Sequence, residues 1–76
     1  MKVEFDYSKL KGRIKEKLNS QYRLAEELKI SEVALWNKLT NKSAFSQTDI
    51  VKICEILEIE PNEIHNYFFR EVVKEN

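Results

Sequence analysis

The sequence predicts an all-α fold, a single domain over residues 1–76 with five short helices around one core. Three observations carry that expectation. Apolar residues recur at intervals of three and four along most of the chain, the spacing that gathers them on one side of a helix. Ser, Asp and Pro stand just ahead of those segments, where helix starts favour them. One Gly and one Pro in 76 residues leave few turn formers for a β architecture. A chain of this length has room for one modest core and none for a second domain.

Each element follows in order. Tyr7, Leu10, Ile14 and Leu18 place the first helix at 7–18, with Asp6 as its N-cap. Val3 and Phe5 alternate with charged residues as an extended N-terminal arm, 1–5. Asn19-Ser20 interrupts the pattern, and Ser20 can cap a second helix with Leu24, Ala25 and Leu28 on one face. Ser31 caps the third, where Ile30 and Leu35 stand at the two positions of a hydrophobic staple and Leu35 and Leu39 form the buried edge. In the polar turn 40–43, Asn41 suits a left-handed backbone at the helix end. Ser46-Gln47-Thr48-Asp49 reads as a capping box with Asp in place of Glu. It opens a fourth helix whose apolar face is Ile50, Ile53, Cys54 and Leu57, with Phe45 and Ile50 as a second staple. Pro61 is pre-organised for the first position of the fifth helix, and Ile59 and Ile64 make a third staple. Tyr67, Phe68 and Phe69 follow, then a C-terminal tail, 70–76, that holds Val72 and Val73.

Composition excludes several functions. Cys54 stands alone, so it forms no intrachain disulfide and anchors no metal cluster. It fits the core as a small apolar residue. His65 has no ligand-spaced partner and suits a surface or capping role. There is no Gly-rich phosphate loop, no Ser-His or Cys-His pairing with a third partner, and no carboxylate pair in an evident cleft. The expectation is a protein with no catalytic residues, no metal and no cofactor. No apolar run approaches the roughly 18 residues of a membrane span, and the N-terminus lacks a signal-peptide core, so a soluble cytoplasmic protein is expected. Net charge is zero but unevenly spread. Residues 1–43 carry ten Lys and Arg against six Asp and Glu, and residues 44–76 carry three against seven.

The positive half holds QYRLAEELKISEVALWNKLTNK, residues 21–42. Two short helices joined by a tight turn describe a helix-turn-helix. Ala25 must be small where the third helix crosses the second, and Leu28, Ile30 and Leu35 fill the angle between them. The outward face of the third helix is then Glu32, Val33, Trp36 and Asn37, and such a helix fits a major groove about 12 Å wide.

Gln21, Ala25, Ile30-Ser31, Leu35 and Leu39-Thr40-Asn41-Lys42 resemble the helix-turn-helix of the phage Cro and repressor family. The flanking YSKLKGRIKEKLNS and FSQTDIVKICEILEIEPNEIHNYFF resemble the small Cro-like proteins of phages of Gram-positive bacteria. The resemblance covers roughly residues 6–70. It departs from the family at Lys29, usually a turn glycine, and at Lys38, commonly apolar. It implies a compact lambda-repressor-like domain acting as a DNA-binding regulator at the bacterial nucleoid, a Cro-like repressor that binds a double-stranded operator as a homodimer. Carried onto this chain, the base-reading residues are Glu32, Val33 and Asn37, with Trp36 either beside them or packed on the second helix or the Tyr22 ring. Asn pairs with adenine, Glu accepts from cytosine and Val packs on a thymine methyl, although Glu32 equally suits compensation of the helix dipole. Gln21, Lys38, Lys42, Ser46 and Gln47 are the phosphate contacts. Tyr67, Phe68 and Phe69 are the dimer interface. The alternative is a protein-interaction module of the same fold that binds and modulates a phage repressor, which the zero net charge and acidic C-terminal half keep open.

Overall fold

Residues 3–72 are described in a computed structural model of the chain. Five α-helices follow one another: α1 (Ser8–Leu18), α2 (Gln21–Leu28), α3 (Glu32–Leu39), α4 (Gln47–Leu57) and α5 (Ile64–Phe68). A 3-10 turn, Pro61–Glu63, leads into α5, so the fifth helix starts three residues later than Pro61 alone suggests. The all-α expectation holds among the described residues.

The local rules account for the helix limits. Ser20, Ser31 and Ser46 each accept a hydrogen bond from the backbone N–H three residues on, at Arg23, Ala34 and Asp49. Asp49 returns the favour by accepting from the Ser46 N–H, which completes the capping box. Such a cap contributes about 1 kcal/mol. The first helix departs from expectation. Tyr7 occupies its N-cap without a side-chain bond, and Asp6 acts one step earlier by accepting from the Ser8 N–H at 2.9 Å. The Tyr7 ring is buried instead, edge-on to Phe45 with centroids 5.3 Å apart.

The core gathers one face from every helix. Leu10 and Ile14 of α1, Leu24 of α2, Leu35 of α3, Ile53 and Leu57 of α4 and Phe68 of α5 are its most deeply buried large side chains. Burial of each contributes roughly 1.5–3 kcal/mol. Ala25 is buried between α2 and α3, as the close crossing demands. Cys54 lies half-buried at the edge of this core, and burial pushes its thiol pKa up.

Residues 4–6 and 70–72 meet. The Asp6 N–H donates to the Arg70 carbonyl at 2.7 Å, the Val72 N–H donates to the Glu4 carbonyl at 2.9 Å, and Phe5 bridges Glu71 in antiparallel fashion. The arm and the tail are therefore a paired unit over 4–6 and 70–72; residues 1–2 and 73–76, Val73 included, lie outside the described residues. This pairing also fixes the three consecutive aromatics. Phe68 is 2% exposed in the core, Tyr67 is half-buried beneath the Lys9 ammonium, and Phe69 is exposed and packs edge-on against Phe5. Phe68 is thus withdrawn from the expected dimer interface, because presenting it would empty the core.

Candidate functional site

The turn between α2 and α3 sets the site. Lys29 has a left-handed backbone, φ 59° and ψ 40°. Its N–H donates to the Glu26 carbonyl, and the Ile30 N–H donates to the Ala25 carbonyl, both at 3.1 Å. This is the Schellman pattern that ends helices, here made without glycine at a cost of roughly 1–2 kcal/mol. The chain then reverses into α3, which is anchored through Leu35 and Leu39. Anchoring one side leaves the other open. Val33 is 68% exposed and Trp36 48% exposed, with Glu32 exposed beside them.

A cleft of about 460 Å³ runs between α2 and α3, lined by Ser20, Gln21, Tyr22, Glu32, Val33 and Trp36. Tyr22, 52% exposed, forms its α2 wall. Glu32, Val33 and Trp36 are therefore brought together, while Asn37 is not part of the lining. Asn37 is half-buried, and its carbonyl accepts from the Lys42 and Ser43 backbone amides at 2.8 and 3.2 Å. Tyr22 was expected only as a packing surface for Trp36. The two rings face one cleft without stacking, and a residue in the first turn of α2 gives no periodic signal that it stays exposed.

The residues expected to hold phosphates are largely engaged within the protein. The Lys38 ammonium donates to the Asp49 carboxylate at 3.1 Å and to the Ala44 carbonyl at 3.0 Å. The two side chains are only 19% and 21% exposed, so Lys38 clasps the end of α3 to the start of α4 and is withdrawn from a phosphate role. Burial would raise the Asp49 pKa, but the Ser46 N–H and the Lys38 ammonium outweigh it and hold the carboxyl below its ordinary value. The Ser46 hydroxyl is occupied as the α4 cap. The Lys42 ammonium sits 4.7 Å from the centre of the Trp36 ring, a cation–π contact worth about 0.5–1 kcal/mol on a surface. Gln21 is half-buried in the cleft wall, and Gln47 remains exposed in the first turn of α4. A face of this kind is apolar and aromatic with an acidic edge, and its nearest expected cations are turned to internal contacts.

Among the described residues no helix is long and apolar enough to cross a membrane, and no group of His, Cys, Asp or Glu is arranged to hold a metal.

Residues 3–71 match the family described as protein of unknown function (DUF739). No curated protein sequence matches. Among solved structures, the chain is similar to the solution structure of the modulator of repression (MOR) of the temperate bacteriophage TP901-1 from Lactococcus lactis. The two share 38% identity with a TM-score of 0.76, over 86% of this chain and 88% of that one. The match is thus to this family rather than to the Cro and repressor family that the helix-turn-helix resembles, and the similar phage protein is named for modulating repression rather than for binding an operator. From its sequence match over nearly all the described residues, the chain belongs to the DUF739 family.

Proposed function

We propose that this protein is an interaction module that modulates a phage repressor by direct protein–protein contact, using the outward face of α2 and α3. The observation that carries the reading is the character of that face. Tyr22, Val33 and Trp36 expose a cluster of large apolar side chains beside the Glu32 carboxylate. Aromatic residues grouped in the open are typical anchors of protein interfaces, whereas a DNA-reading face needs free cations around it to hold phosphates. Lys38 is held by Asp49, Lys42 covers Trp36, and Ser46 caps its own helix. Similarity to a phage modulator of repression supports the same reading.

The test is calorimetric titration of the full chain into a purified phage repressor, and separately into a duplex carrying that repressor's operator. A saturable complex with the repressor is expected. Binding to the duplex alone, weakening with salt at a log–log slope near −0.9 per neutralised phosphate, would reverse the conclusion in favour of an operator-binding protein.

A further inference from the structure

We infer that the cleft between Tyr22 and Trp36 receives an arginine side chain from the partner protein. This rests on the protein-interaction reading of the same face and names the chemistry that the face selects. Three features converge there. Two aromatic rings on different helices flank one opening without stacking on each other. Val33, 68% exposed, adds an apolar side chain to the same lining. Glu32 stands at the edge, exposed and in no ion pair among the described residues.

A guanidinium answers all three at once. It is planar and weakly hydrated, it stacks on aromatic faces, and it presents a fork of N–H donors to a carboxylate. Its alkyl stem covers apolar surface while the head stays polar. Other occupants fit less well. A purely apolar side chain would dehydrate Glu32 without giving it a donor, which costs free energy. A phosphate would be repelled by the same carboxylate. A lysine could pair with Glu32, but its compact ammonium lacks the flat face that matches two rings.

Lys42 sharpens the assignment. Its ammonium lies over the Trp36 ring at 4.7 Å, yet Lys42 is not part of this cleft and lines the separate hollow beside Phe5, Phe45 and Phe69. A cation already on the ring weakens its pull on a second one. Glu32 and Tyr22 must supply the remainder, so Glu32 dominates the selectivity for charge.

Trp36 is the only tryptophan, so its fluorescence and its indole N–H resonance report on this side chain alone. The full chain is titrated with N-acetyl-arginine amide, with the corresponding lysine, and with the citrulline compound, which keeps the shape and loses the charge. A saturating Trp36 response to arginine that exceeds lysine, with citrulline silent, is expected. Glu32→Gln should weaken the arginine response by roughly tenfold or more, the loss of one charge-assisted hydrogen bond. Equal responses to arginine and citrulline, or no Trp36 response to any of the three, would overturn the assignment. Repressor binding by the parent and by Glu32→Gln separates the two ideas. Equal affinity of both for the repressor ends the arginine cleft and leaves the partner reading standing. A cleft that selects arginine in a protein that ignores the repressor does the reverse.

Discussion

The Asn41 side-chain amide satisfies both backbone polar groups of Phe5. Its Oδ1 accepts from the Phe5 N–H at 2.9 Å and its Nδ2 donates to the Phe5 carbonyl at 2.9 Å. One amide thus does for Phe5 what a neighbouring strand would do, while Glu71 pairs with it as a bridge partner. Asn41 itself has a positive φ of 67°, which Asn tolerates better than most residues. Asn41→Ala should therefore cost about 2–4 kcal/mol, from two lost hydrogen bonds plus left-handed strain. Asn41→Gly removes only the hydrogen bonds and should cost less. Urea unfolding of both variants checks this, and a glycine variant as stable as the parent would show that the amide pairing contributes nothing.

Lys29 offers the opposite experiment. Its φ of 59° suits glycine, and its side chain is exposed. Lys29→Gly should stabilise the fold by about 1 kcal/mol, relief of strain outweighing the added freedom of the unfolded chain. A thermal melt shifted downward would mean that the lysine side chain has a structural role of its own.

The Lys38–Asp49 clasp predicts a pH dependence. Asp49 has a pKa below its ordinary 3.8 in the fold. A carboxyl lowered on folding contributes stability that is complete above its unfolded pKa and is lost as pH falls through the folded one. The loss therefore begins near 3.8 and continues below it. Lys38→Met should cost about 1–2 kcal/mol at neutral pH and make the acid-side decline shallower. Urea titrations at a series of pH values compare the two, and parallel declines in both proteins would assign the acid sensitivity elsewhere.

The α3 face can be separated from the fold. Val33→Lys changes an exposed residue and should move stability by no more than about 0.5 kcal/mol, yet it sets an ammonium beside Glu32 that repels an incoming cation and should abolish repressor binding. Leu35→Ala, two residues on and fully buried, should cost about 2–5 kcal/mol. Circular dichroism melts paired with the calorimetric titration measure both. A Val33→Lys protein that still binds the repressor would move the interface to another surface.

Features set by short-range rules are legible in the sequence. Ser20, Ser31 and the Ser46–Asp49 box act over three residues, so their roles are written locally, as is the left-handed turn at Asn41. The exposed trio Glu32, Val33 and Trp36 follows from helical spacing once Leu35 and Leu39 are known to face inward. Other features depend on chain path. Lys38 reads as a surface cation until the 40–46 turn brings Asp49 back against it. Tyr67, Phe68 and Phe69 are equally apolar, and only the antiparallel pairing of the two ends decides that Phe68 turns inward. The helix-turn-helix itself was legible, but its ligand was not, because the same backbone serves whichever partner the outward side chains suit.

That pairing of the ends also orders the molecule's opening. Almost the whole chain lies between Phe5 and Glu71, so their bridge closes a long loop that only a finished helical body holds in place. The amides of Asp6 and Val72 should consequently exchange with solvent deuterium by local detachment, well before those of Ile14 and Leu57, which wait for global unfolding. The seam between residues 4–6 and 70–72 should thus behave as a latch, the first part of the fold to slip.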